Sequence, residues 1–180
     1  MSDKIDKILV QDRQDVFEIG FSDVEKYHGL GNIGGAAVGF KALQAAFEAL
    51  LPGKPALRED ITIKTGHPGS GVRDAIELVT RATTRGVYTV DKTLPEGRLN
   101  PYRQLSFTFI VSLPDREAEV VLKEGILPAR FFDLMEIVMK PDTEKEQDEL
   151  DRLKRSLAKQ IVGQSSSELF TVTTSGGGAQ

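Results

Sequence analysis

Two histidines, His28 and His67, are the only imidazoles in the chain, and each stands at the edge of a glycine-rich stretch. An imidazole titrates near neutral pH, so it can serve as general acid or base, or as a metal ligand. The first stretch reads His28-Gly-Leu-Gly-Asn-Ile-Gly34-Gly35. The second reads Gly66-His67-Pro-Gly-Ser70-Gly71 and runs on to Arg73 and Asp74. Both lead into helical patterns, and the free N–H groups at a helix start favour an anion. His28, His67 and Asp74 are therefore candidate acid/base groups. Asn32, Gly34, Gly35, Ser70, Gly71 and Arg73 are candidate ligand contacts. A third cluster, Thr80-Arg-Ala-Thr83-Thr84-Arg85, adds the hydroxyls of Thr80 and Thr83. Each group also has a plain structural use. Asp74 suits a first helical turn and Arg81 and Arg85 a last one through the helix dipole alone.

Two familiar fingerprints are matched only in part. Gly29-x-Gly31-x-x-Gly34 has the spacing of a dinucleotide loop. That loop needs a strand before the first glycine and an acidic strand end about 20 residues on. The preceding Ser22–His28 reads as helix, and the following region is still helix. The stretch at 66–71 lacks the Gly-Lys-Ser/Thr ending of a phosphate loop.

Composition narrows the chemistry further. The chain has 180 residues and no cysteine, so disulfides, thiol catalysis and thiolate-held metals on this chain are ruled out. Its 23 basic and 27 acidic residues leave a net charge of −4. That argues against a nucleic-acid surface or a membrane anchor. The first residues carry no long apolar run, so the expected location is cytoplasmic.

The elements that must position these groups follow from periodicity and turn chemistry. A short N-terminal helix is expected within 1–15, then an extended Phe17–Phe21. Ser22 or Asp23 is expected to cap a brief helix to Tyr27. A long helix spans 33–51, and its small start (Gly34, Gly35, Ala36, Ala37, Gly39) implies close approach by a backbone or ligand, or tight helix–sheet packing. Strands are expected at 60–65, 86–90, 105–113 and 118–122, with a helix over 72–82. Pro128 opens a helical C-terminal segment. Phe131, Phe132, Met135 and Met139 give its first helix an apolar face, and Thr143 is placed to cap a long charged helix to Val162. Ser165–Phe170 reads as a cap and a short turn. Residues 1–172 are expected to form one α+β domain, a mixed β-sheet flanked by helices, with 173–180 a flexible tail.

In order and spacing these motifs resemble the FmdE-like family, the metal-binding domain named after formylmethanofuran dehydrogenase, over roughly 17–172. His28-Gly29-Leu30-Gly31-Asn32 resembles its His-Gly-His-x-Cys stretch, and Gly71-Val-Arg-Asp74-Ala-Ile76 its Cys-x-x-Asp-Ala-Ile stretch. Thr80 and Thr83, the strand Leu105–Phe109 and Glu168-Leu-Phe170 also resemble family features. The resemblance implies a metal-binding domain. Of that family's metal site, only His28 is kept here. Leu30 stands for the second His, Asn32 for the first Cys and Gly71 for the second. The resemblance also implies that His28 and the 66–71 loop meet, so that His28 and His67, with Asp74, Glu25 or water, could hold a divalent metal.

Three functions fit. One is a small-molecule-binding domain with a thiol-free site, in which His28 or His67 gives acid/base catalysis on a small anionic substrate. Another is an accessory metal-binding domain in one-carbon or redox metabolism. The last is a non-catalytic interaction module. A homodimer through the apolar C-terminal half is compatible with each.

Overall fold

A computed structural model describes residues 7–176. It has the expected α+β class, with two mixed sheets and the helices packed on them. The chain opens with a hairpin, β1 (Lys7–Asp12) and β2 (Asp15–Gly20), not with the expected helix. Ile8 and Val10 alternate with Lys7 and Leu9, and this period of two buries both β-branched residues. Arg13 makes the turn in the left-handed region, at φ 56°. Residues 1–6 of the expected helix lie outside the described residues.

Helix α1 (Phe21–His28) starts after Gly20, so neither Ser22 nor Asp23 is its cap. Asp23 instead accepts a hydrogen bond from the Gly20 N–H at 3.0 Å. Because α1 runs to His28, a helix and not a strand leads into Gly29, as the rejection of the dinucleotide loop requires.

Helix α2 (Ile33–Leu50) is the centre of the molecule. All of it except Gly35, Glu48 and Ala49 is buried, including the polar Lys41 and Gln44 of an otherwise apolar and small-residue surface. After a short β3 (Ala56–Leu57), paired with β1, come β4 (Thr62–Thr65), α3 (Ser70–Thr80) and β5 (Tyr88–Val90). Strands β4 and β5 are parallel neighbours joined by α3. In such units the loop leaving the first strand is a common place for a ligand. Arg58 secures the far end of α3 by donating to the Val79 and Leu78 carbonyls, at 2.9 and 3.1 Å.

The small start of α2 is explained by α3 and by the later helix Glu144–Gly163: Gly35 and Gly39 face the Val72 backbone, and Gly34 faces the Lys154 carbonyl. A Cβ on Gly39 would stand 3.0 Å from the Val72 carbonyl oxygen. The closely approaching neighbour is thus another helix backbone.

Strands β6 (Thr108–Ser112) and β7 (Arg116–Leu122) follow as an antiparallel pair. Then come α4 (Ala129–Ile137), α5 (Glu144–Gly163) and α6 (Ser166–Leu169). Thr143 precedes α5, but its hydroxyl donates to the Lys140 carbonyl at 3.1 Å and does not cap the helix. The Ser165–Glu168 turn is as expected, with the Ser165 N–H donating to Glu168 Oε2 at 2.8 Å.

The helical C-terminal segment does not end the fold. Phe170–Gly176 forms β8, which completes the five-stranded sheet β5-β4-β6-β7-β8. Residues 173–176, expected in a flexible tail, are strand; 177–180 lie outside the described residues. The physical reason is the β-branched run Thr171-Val-Thr-Thr174, which pairs with β7 from Leu122↔Phe170 to Arg116↔Gly176.

Candidate functional site

The loop from β4 to α3 is held on both sides. Thr65, fully buried, donates its hydroxyl to the Thr108 carbonyl at 3.1 Å and accepts the His67 N–H at 3.2 Å. The Gly66 N–H also donates to the Thr108 carbonyl. This anchors His67 with its ring on Phe107, centroids 4.6 Å apart. The Gly69 N–H donates to His67 Nδ1 at 3.0 Å. Since Nδ1 is an acceptor, the neutral ring carries its proton on Nε2. Burial pushes the imidazole down to about 4, so it is neutral at physiological pH.

Gly71 seats α3 on the start of α2. A Cβ there would come 2.6 Å from the Asn32 carbonyl oxygen and 2.8 Å from the Ala36 nitrogen. Asn32 has left-handed backbone geometry, φ 48°, and its side chain does not cap α2. The side chain turns to α5, where Lys154 Nζ donates to Asn32 Oδ1 at 2.9 Å.

These elements enclose a cavity of about 180 Å³. Asn32, Gly34, Gly35 and Val38 line it from α2, and His67, Gly69, Ser70 and Gly71 from the loop and the start of α3. Its apolar wall is Leu105, Phe107, Leu127, Phe131, Phe132, Met135 and Leu157. Asn100 and Lys154 complete the lining. Of the residues singled out in the sequence, Asn32, Gly34, Gly35, His67, Ser70 and Gly71 come together here.

The electrostatics of the cavity are one-sided. The Lys154 side chain is only 12% exposed, and Asp151 is 4.0 Å away. Burial lowers the Lys154 pKa from its ordinary value. The first turns of α2 and α3 contain no acidic residue to offset their dipoles. A small anion is therefore the complementary charge for this space.

The other sequence candidates lie elsewhere. His28 Nδ1 is 2.8 Å from Asp74 Oδ2, and the His28 side chain is 7% exposed. Arg73 grips Asp74 Oδ1 through Nε and Nη2, at 3.1 and 3.0 Å. Burial raises the Asp74 pKa, but the hydrogen bonds from His28 and Arg73 outweigh it and hold the carboxyl below its ordinary value. Tyr88 feels the charges of this cluster, and burial pushes its phenol up to about 12. Thr80 is fully buried and donates to the Ile76 carbonyl at 2.7 Å. The Thr83 N–H donates to Glu77 Oε2 at 2.8 Å. None of His28, Arg73, Asp74, Thr80 or Thr83 lines the cavity.

A metal implied by the resemblance does not fit these residues. Leu30 is apolar and 52% exposed, and position 71 has no room for a side chain. His67 Nδ1 accepts the Gly69 N–H, so its Nε2 carries the proton and offers no lone pair; His28, with Nδ1 on Asp74, keeps a buried Nε2 without a hydrogen-bond partner but does not line the cavity. Among the described residues no group of three or more His, Asp or Glu side chains gathers as a ligand set. Of the two histidines expected to share a metal, His67 lines the cavity and His28 does not.

Sequence reasoning does not single out Lys154 or the aromatic wall as site residues. Lys154 does carry a signal: it sits between Leu150 and Leu157, within the spacing 150-154-157-161 that marks the apolar stripe of α5. No helix among the described residues is long and apolar enough to cross a membrane. No protein-family model matches the chain, and no curated protein matches it.

Proposed function

We propose that this chain is a small-molecule-binding domain that seats a small anion in the cavity between α2, α3, α4 and α5. The carrying observation is the Lys154 side chain, 12% exposed, whose ammonium donates to the neutral Asn32 amide and is only loosely paired with Asp151, at 4.0 Å. A buried charge is costly without a compensating partner. Phe107, Phe131 and Phe132 provide a body-binding wall beside it. In this reading His67 donates from Nε2 to the bound anion. With a proton affinity near pH 4 it is a poor base at neutral pH.

The test is backbone NMR with a panel of small carboxylates and phosphates. At least one compound is expected to move the amides of Gly34, Gly35, Ser70 and Gly71. Met135→Trp, which fills the cavity from α4, should leave those amides unmoved. If no compound moves them, or if the tryptophan variant responds equally, the reading is wrong.

A cytoplasmic setting and a homodimer complete the proposal. Phe132 is in the core and Phe131 and Met135 line the cavity, which leaves Met139, 71% exposed, as the outward part of the expected dimer face. Sedimentation equilibrium should report twice the chain mass; the monomer mass would remove the dimer.

A further inference from the structure

We infer that the cavity reads a compact aromatic carboxylate. This rests on the small-anion reading above and narrows it. The first ground is hydrogen-bond accounting. Asn32 Oδ1 accepts from Lys154 at 2.9 Å, which fixes the amide orientation and leaves its NH2 group to donate. Asn100 Oδ1 accepts the backbone N–H groups of Tyr102 and Arg103, at 2.9 and 3.1 Å, with the same consequence. His67 Nδ1 accepts from the Gly69 N–H, which leaves Nε2–H. In each case the donor fixes which atom accepts, so neither amide orientation nor the imidazole tautomer is arbitrary.

With the Lys154 ammonium, these are the donors of a cavity that no Asp or Glu lines; the carboxylate beside that ammonium, Asp151, stands outside the lining at 4.0 Å. Ser70 adds a hydroxyl that can serve either way. A partner for this rim must bring acceptors. The rim carries one formal positive charge and no arginine. One lysine with neutral donors matches a carboxylate monoanion. A phosphate dianion is more often met by the bidentate fork of arginine.

The second ground is the wall. Phe107 and Phe132 meet at 6.5 Å and 64°, and Phe131 and Phe132 at 5.4 Å and 70°. These edge-to-face arrangements are the kind a further ring can join. Met135 adds a polarizable thioether, which also favours an aromatic neighbour. The cavity measures about 180 Å³. An engineered apolar cavity of about 150 Å³ takes up benzene, so one ring with a carboxylate is the matching size.

The experiment compares benzoate, benzyl alcohol, phenyl phosphate and acetate by calorimetry and NMR, on the wild type and on Lys154→Met. Benzoate is expected to bind at least tenfold more tightly than the other three. Lys154→Met should weaken benzoate to the level of benzyl alcohol while leaving benzyl alcohol unchanged. Tighter binding of acetate or phenyl phosphate than benzoate would overturn this inference and leave the small-anion reading standing. Binding of benzyl alcohol as tight as benzoate, with neither acetate nor phenyl phosphate bound, would overturn both. So would no binding by any of the four. A benzoate affinity that survives Lys154→Met in a folded variant would remove lysine as the reader and overturn the inference.

Discussion

Gly71→Val is expected to destabilise the protein by about 3 kcal/mol, the range of severe overpacking. The first atom of any side chain at this position would stand 2.6 Å from the Asn32 carbonyl oxygen and 2.8 Å from the Ala36 nitrogen. Both are backbone atoms at the start of α2, so no rotamer change relieves the contact. Either α3 withdraws from α2, or α2 loses its first turn. Removing glycine from a helix returns up to about 1 kcal/mol in propensity, which is too little to reverse the sign. Cysteine would meet the same two atoms, so restoring the thiol implied by the resemblance would break the packing before it could bind a metal. Gly31→Ala is the control. It has negative or extended backbone geometry and nothing within 4 Å of a built Cβ. It should change stability by less than about 0.5 kcal/mol. Urea denaturation of the two variants separates a packing requirement from general glycine flexibility. Equal, small effects would refute close packing at Gly71.

The same crossing shows which part of the site was legible in the sequence. Small residues at the start of α2 and the glycines of 66–71 announce a close approach, because only a missing Cβ allows one. The sequence could not tell which neighbour approaches. Nor could it say which helical residues face the cavity. Arg73 follows Gly71 by two positions, a rotation of about 200° around the axis, and it turns to Asp74 instead. Thr80 lies nine residues beyond Gly71, about 13 Å along the helix, and bonds back to its own turn. Neighbours in sequence at a helix start are not neighbours in a site.

The elements that differ from expectation have local causes. Ile8 and Val10 sit in a window too short to separate a period of two from a helical one, and pairing with β2 decides it. Thr171–Thr174 has the β-branched signature of a strand, but the Ser-Gly-Gly-Gly after it draws the boundary too early. The charge of Lys154 groups it with the solvated face of α5, although its register belongs to the buried one. In each case a partner outside the segment supplies what its own pattern leaves open: β2, β7 and Asn32 respectively.

Acidification should weaken the fold through His67 before most carboxylates take part. In the unfolded chain this imidazole takes up a proton near 6.5; in the folded protein it resists until about 4. Between those values the unfolded state binds more protons than the folded one, so stability falls as pH falls. The contribution is fully present above pH 6.5 and is lost on going down to about 4. Its size is about 2 to 3 kcal/mol, the smaller figure allowing for solvent contact with a partly buried ring. The cause is burial against Phe107, with Nδ1 already committed to the Gly69 N–H. Lys154 lines the same cavity and adds no counter-charge for an imidazolium. Asp74 is held below its ordinary value and stays ionised across this window. His67→Asn isolates the effect, because its side-chain oxygen can accept the same i+2 N–H in an Asx-turn while carrying no titrating group. From pH 7 to 4, measured by urea denaturation at intervals, the wild type should lose about 2 to 3 kcal/mol more stability than His67→Asn. Parallel curves would show that the ring is free to protonate in the folded state. His67 could then serve the cavity as a cation in mild acid, and the neutral Nε2–H donor would have to be abandoned there.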